Sequence, residues 1–228
     1  AEPVFRSKDA KNLAKKAIEL RYQLLPYNYH LAFQNSTKAL PLMRPLFMEE
    51  PNNFLLYGIS KTYLWGNDFL ISPILEAKQT LKKVYFPSTN NWFDFYTHEK
   101  YEGGQFAYVQ TQKESIPTYV RGGAFIPLAE IHQTTEDYQF NNITFKYYFD
   151  EKVEASQRSF YNDDGKTAKS FEDDAYEMLH FKIEHFNEIS ELQIEHQVEK
   201  NYTTDLDEIH LEFINWKKRP ISVQVNGK

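Results

Sequence analysis

The stretch Tyr63-Leu64-Trp65-Gly66-Asn67-Asp68-Phe69-Leu70-Ile71-Ser72-Pro73-Ile74 decides the fold. Two short aromatic and aliphatic runs flank a Gly-Asn-Asp break, the composition of two strands with a turn between them. Further runs of this kind follow at 81–86, 92–96, 106–110 and 118–126, the last interrupted by Gly122-Gly123. A strand about every dozen residues predicts a sandwich of antiparallel sheets. The 18 Phe and 16 Tyr of this 228-residue chain favour the same class, because aromatic side chains fit pleated, half-buried surfaces.

Before residue 40 the period changes. Leu13, Ala14, Ala17, Ile18, Leu24 and Leu25 recur at three- and four-residue spacing behind Ser7, which predicts an N-capped helix over 7–33 with one apolar face. Pro26 lacks a backbone donor and is expected to kink that helix. The polar segment 34–37 is expected to end it. Beyond a polar stretch at 129–137, Ile143, Phe145, Tyr147 and Phe149 alternate with other residues, and Ile209, Leu211 and Phe213 alternate with His210 and Glu212. Both read as half-buried strands of a second β unit. Asn162-Asp163-Asp164-Gly165-Lys166 reads as a tight hairpin, since Asp-Gly tolerates positive φ. The expected class is mainly β, an N-terminal α-helix followed by two antiparallel β-sandwich domains. The division falls at 1–40, 41–130 and 131–228.

A formal net charge of −6 without a run of Lys or Arg argues against nucleic acid as a partner. Cysteine is absent, so neither disulfides nor thiolate metal sites are available. No apolar stretch approaches the ~20 residues that cross a bilayer, so no membrane partner is expected. The opening AEPVFRSKDAK lacks a basic segment followed by an apolar one. It runs into a helix almost at once, which suggests a piece whose beginning lies elsewhere.

Candidate chemistry is sparse. Glu49-Glu50, Asp163-Asp164, Asp173-Asp174 and Asp205 with Asp207 are local carboxylate pairs, the type that at a defined separation can share acid and base work. Neighbours in a strand point to opposite faces, so these read as structural or solvated groups. The Asp163-Asp164-Gly165 turn with Asp173 and Asp174 could gather oxygen ligands for Ca²⁺, but the spacing fits a hairpin better than a metal loop. His30, His98, His132, His180, His185, His196 and His210 are scattered, and His180 and His185 fall on opposite faces of one predicted strand, so zinc is not expected. Trp65, Trp92, Phe93, Phe95, Tyr96 and Trp216 could stack on sugar rings, although an aromatic-rich β-domain needs most of them inside.

Arg21-Tyr22-Gln23-Leu24-Leu25-Pro26-Tyr27-Asn28-Tyr29 resembles the "RYxLLPYxY" helix of glycoside hydrolase family 31. The likeness continues through Pro41-Leu42-Met43-Arg44-Pro45-Leu46-Phe47 ("PVMRPLF") and through 63–74 ("QFMLGDxLLVAPVL"), with Asn67 where the family commonly has Asp. It extends over Val84-Tyr85-Phe86-Pro87 with 91–96 ("VYLPxGxWYDFWTG") and 116–127 ("IPVFVRGGSIIP"). Phe160-Tyr161-Asn162-Asp163-Asp164-Gly165-Lys166-Thr167 is similar to the distal "LYEDDGxT" turn. Residues 171–228 resemble the family only in being β-rich.

This resemblance implies a retaining α-glycosidase, most simply an α-glucosidase, in which two Asp carboxyls ~5 to 5.5 Å apart act at the mouth of a (β/α)₈ barrel. Neither family motif bearing those Asp residues occurs here. The helix then corresponds to the last barrel helix, and 41–130 and 131–228 to the proximal and distal C-terminal β-domains. No catalytic, cofactor or metal residue is assigned to this chain, and the catalytic carboxylates are expected upstream of Ala1. Implied partners are the α-linked oligosaccharide substrate of the parent enzyme and the barrel itself, with room for an oligomer. The resemblance tilts location toward the periplasm or secretion. Arg44 is expected to hold the helix–sheet junction through an ion pair or a carbonyl. Gly122-Gly123 is expected to let the strand turn or approach another backbone. Two rival roles are a carbohydrate-binding accessory module and a purely structural brace or oligomer contact. An apolar helix face without its barrel is expected to favour association.

Overall fold

A computed structural model describes residues 2–216 and 219–226. Two helices come first, α1 (Lys8–Gln23) and α2 (Leu25–Lys38). Ser7 caps α1, its Oγ accepting from the Ala10 N–H at 3.3 Å. The break falls at Leu24 (ψ 8°), two residues before Pro26, whose missing N–H leaves the preceding turn one bond short. Contrary to expectation the helix does not stop at Phe33. Thr37 Oγ1 donates to the Phe33 carbonyl and Gln34 reaches back to His30, so the polar segment is satisfied inside the helix, which ends at left-handed Ala39 (φ 54°).

The strands are β1 (Met43–Pro45), β2 (Tyr63–Trp65), β3 (Phe69–Ile71), β4 (Leu81–Phe86), β5 (Trp92–Asp94), β6 (Lys100–Tyr101), β7 (Gln105–Gln110) and β8 (Thr118–Arg121). They are followed by β9 (Phe125–Ala129), β10 (Asn142–Tyr148), β11 (Ala155–Asn162), β12 (Glu177–Phe186), β13 (Ile189–Val198) and β14 (Glu208–Ile214). A six-stranded sheet runs β1-β2-β3-β8-β5-β6 with antiparallel pairings, and a β4-β7 ribbon covers one face. The second half stacks β14-β10-β9 on β11-β12-β13. The class is mainly β, as expected, with antiparallel sheets throughout except that β14 joins β10 in parallel.

Side-chain alternation buries both faces of the six-stranded sheet. Leu64, Leu70, Trp92 and Tyr119 face the β4-β7 ribbon and share a core with Leu46, Val84, Phe86 and Val109. Their strand neighbours Phe69, Ile71, Phe93 and Val120 point the other way, into a larger core with Leu24, Tyr27 and Leu31 of the helices and Phe125, Phe145, Phe160 and Phe181 of the second half. One apolar core therefore joins the helices to both β parts.

The stretch 118–126 is two strands in two sheets, and the glycine pair is the crossing. The Gly122 N–H bonds the Asn91 carbonyl (2.8 Å) and the Gly123 N–H bonds the Tyr148 carbonyl (2.7 Å), so adjacent amides serve different sheets. Gly123 has φ +82°, and a Cβ on Gly122 would overlap the buried Asp150 carboxyl. Residues 162–166 do not form the tight hairpin expected. Asn162 pairs with Glu177, so 163–176 is a long connection whose first turn is held by Asp163 and Asp164 oxygens accepting from the Gly165, Lys166 and Thr167 amides. Gly122→Ala is expected to lower unfolding free energy by about 2 to 4 kcal/mol in urea titration, as steric clash at a buried crossing should.

Candidate functional site

A buried polar cluster lies where α2, the 66–68 turn and β11 meet. Leu24, Tyr27 and Leu31 fall on one face of the helical pair, so packing that face brings the Tyr27 hydroxyl onto the turn. It donates to the Trp65 carbonyl (2.8 Å) and accepts the Asp68 N–H (3.3 Å). Burial, then the Asp68 charge, push its pKa far above the ordinary tyrosine value, so it stays a donor. Gly66 sits against it because a Cβ there would overlap both the hydroxyl and Leu31.

Asp68 is 3 % exposed and is gripped by Arg158 of β11 through Nε (3.0 and 3.1 Å) and Nη2 (2.6 Å). The Asp68 charge in turn raises the Arg158 pKa. This forked geometry is the strong form of a guanidinium–carboxylate pair. Arg121 of β8 binds from the other side. It donates to the Asn67 carbonyl (2.7 Å), Thr89 Oγ1 (2.9 Å) and Glu49 Oε2 (2.7 Å), with its guanidinium 4.6 Å from the Trp92 ring. Arg44 donates to the Pro41 carbonyl (2.8 Å) and to Asn67 Oδ1, the carbonyl role expected for it. Three arginines from three strands thus converge on one turn.

Beside this junction a cleft of about 490 Å³ is lined by His30, Gln34, Lys38, Arg158, Ser159 and His180, among others. His30 Nδ1 accepts the Tyr161 N–H (3.1 Å), which places the ring proton on Nε2, 2.9 Å from the Gln34 amide. Rotating that amide by 180° supplies an acceptor and satisfies the otherwise unpaired buried Gln34 Oε1. Burial lowers the His30 pKa to about 4 from 6.5, with Asp68 opposing and Lys38 assisting. His180 Nδ1 is 2.8 Å from Ser159 Oγ. The cleft contains one carboxylate, Asp68, and that group is committed to Arg158.

The other candidates disperse. Glu49 holds Arg121, whereas Glu50 accepts from Asn53, Tyr85 and the Ser88 amide, so this pair serves two separate networks. Asp163 accepts from the Tyr29 (2.5 Å) and Tyr161 (2.6 Å) hydroxyls. Asp174 pairs with Lys200, and Asp205 and Asp207 are exposed. Among the described residues no group of three or more His, Asp or Glu could hold a metal ion. Of the stacking candidates, Trp92 and Phe93 are fully buried, Trp65, Phe95 and Trp216 pack against the core, and Tyr96 is 41 % exposed. Two buried carboxylates were not singled out by sequence. Asp150 accepts the Asn91 amide and side chain (2.8 and 2.6 Å), and Glu177 accepts from Asn162, His196 and Thr204 (2.7, 2.7 and 2.5 Å). Their partners are far away in sequence or on a neighbouring strand, so no local pattern announces them.

A helical pair shares one core with two β parts, and the buried carboxylates Asp68, Asp150 and Glu177 are spent on internal bonds. Residues 39–126 match the family described as glycosyl hydrolase family 31 C-terminal domain. Alpha-glucosidase 2 of Bacillus thermoamyloliquefaciens is 32 % identical over 186 residues, 81 % of this chain and 23 % of that protein. An alpha-xylosidase of Saccharolobus solfataricus is 34 % identical over 166 residues, 73 % of this chain and 22 % of its own. The family 31 dextranase of Flavobacterium johnsoniae superposes with TM-score 0.82 and 29 % identity, covering 89 % of this chain and 25 % of that one. The chain belongs to glycoside hydrolase family 31 and is a C-terminal region of it. It spans about a quarter of the length of these relatives.

Two outcomes test the junction. Arg158→Met alone is expected to cost about 3 to 5 kcal/mol, since it leaves the buried Asp68 carboxylate unpaired; Asp68→Asn, which leaves the partly exposed Arg158, should cost less, and so should Asp68→Leu with Arg158→Met, as read by chemical denaturation. His30 is depressed in the folded state, so its contribution is complete above pH 6.5 and is lost as pH falls toward 4. His30→Gln is expected to flatten stability over that window by up to about 3 kcal/mol relative to the parent.

Proposed function

We propose that this chain is the non-catalytic C-terminal region of a retaining α-glycosidase, most simply an α-glucosidase, whose catalytic carboxylates lie outside these 228 residues. The observation that carries this reading is the commitment of the buried acids: Asp68 is held by Arg158, Asp150 by Asn91, and Glu177 by Asn162, His196 and Thr204. An acid/base pair needs two carboxyls facing one substrate-sized space. The clefts beside Asp68 and beside Glu76 are each lined by a single carboxylate.

The role left to the chain is mechanical. We read 1–40 as the end of the barrel, 41–130 as a proximal and 131–228 as a distal support. The β parts take up the inner face of α2 through Tyr27, His30 and Leu31, whereas α1 has no buried residue and leaves Ile18 51 % exposed. Phe54, Leu55 and Tyr57 form a second exposed apolar group, Phe54 and Tyr57 stacked on each other. These are the surfaces offered to a catalytic barrel, whose burial of them would be favourable at roughly 25 cal/mol per Å².

The purified chain is expected to release no aryl product from an aryl α-glucoside or α-xyloside. Turnover that one carboxylate-to-amide change in this chain abolished would overturn the proposal. Separately produced barrel should bind the chain, and Ile18→Asp with Leu55→Asp should weaken that binding.

A further inference from the structure

Ile221-Ser222-Val223-Gln224-Val225 alternates apolar and polar residues and is followed by Asn226-Gly227, a favoured two-residue hairpin turn. This is the pattern of a half-buried strand. Yet Ile221, Val223 and Val225 are 102 %, 73 % and 69 % exposed, and they lie outside every described sheet.

The distal sandwich has an edge that matches. β13 is the last strand of its sheet, so among the described residues one side of its backbone has no ladder partner. On β12 the buried row is Leu179, Phe181 and Ile183, and the register sets His196, Ile194 and Leu192 beside them on the same face. That inward row of β13 overhangs the core, with Ile194 and Val198 each still 40 % exposed. Its outward row of Glu191, Gln193, Glu195 and Gln197 is polar.

The segment also starts close to that edge. The Trp216 ring lies 5.7 Å from His185 and 5.0 Å from Phe149, and His185 pairs with Ser190 near the beginning of β13. Five residue steps separate Trp216 from Ile221, a reach of up to about 17 Å, or three strand spacings of ~4.8 Å. A strand that begins there and passes along β13 toward Val198 has the direction of β13, which runs from Ile189 opposite Phe186 to Val198 opposite Glu177.

We propose that residues 221–225 form a β-strand that seats on the free edge of β13 in the same chain, parallel to it. Ile221, Val223 and Val225 then extend the row of Leu192, Ile194 and Val198, and Ser222 and Gln224 join the polar row outside. The tether favours this over a second copy, because a short linker presents the strand at an effective concentration of order mM. The structure gives the edge open and the strand apart from it, so the seated form is the second state of a strap.

Amide hydrogen exchange on the full chain tests this against a version truncated after Arg219, which removes no buried side chain among the described residues. The expected result is protection at 221–225, and exchange at 190–198 that quickens about tenfold or more on truncation. Ile221→Asp with Val223→Asp should reproduce the truncation, and Ser222→Thr with Gln224→Thr should not. Unprotected amides at 221–225 with 190–198 unchanged by truncation would overturn the proposal. So would protection that appears only with a dimer in light scattering as concentration rises ~100-fold, which would put a second copy on the edge.

Discussion

The forked bond between Arg158 and Asp68, with the Tyr27 hydroxyl laid against the same turn, is the constraint from which the rest of this structure follows. It joins residues 90 positions apart, and Tyr27 adds a third segment 41 positions from Asp68. A carboxylate this deeply buried costs several kcal/mol in lost hydration, which only a well-formed partner offsets. The pair is therefore a poor source of net stability and a strong selector of arrangement. If the distal sheet or α2 sits elsewhere, Asp68 is left buried and unmatched.

Stability comes from the apolar core that the pair keeps in register. Because Phe69, Phe93 and Val120 face one way and Leu70, Trp92 and Tyr119 the other, the six-stranded sheet is the middle layer of the assembly. The helices and the distal strands share its first face, and the β4-β7 ribbon takes its second. Gly122-Gly123 makes this layering continuous, since a side chain at Gly122 would exclude Asp150, the residue that anchors Asn91 across the same crossing. One shared core transmits load where two loosely linked cores would hinge.

Legibility followed the physics of each segment. Strands with aromatic and aliphatic alternation, such as 63–65 and 81–86, could be read because one chemistry repeats at one period. β13 could not, because Glu191, Gln193, Glu195 and Gln197 fill its outward row and its inward row is only partly covered. The end of α2 was obscured because Gln34 and Thr37 look like loop residues until their bonds to His30 and Phe33 are seen. The family motifs located the 66–68 turn, but its charge partner Arg158 lies in an unremarkable Gln-Arg-Ser context and emerges only in three dimensions. The need of an aromatic-rich β-domain for bulk inside was legible in the same way, and Trp92 and Phe93 fill the core.

Helices, proximal sheet and distal sheet should unfold as one body locked at Asp68. Urea unfolding of two variants measures it directly: one keeps only Trp92, in the proximal sheet, and the other only Trp216, at the end of β14, with Phe at the remaining tryptophan positions. Each is also followed by far-ultraviolet circular dichroism. Within each variant the fluorescence and dichroism transitions should coincide in midpoint and slope, as a single cooperative unit requires. A Trp216 transition completed at lower urea than loss of the proximal sheet signal would instead make the distal half an independent domain.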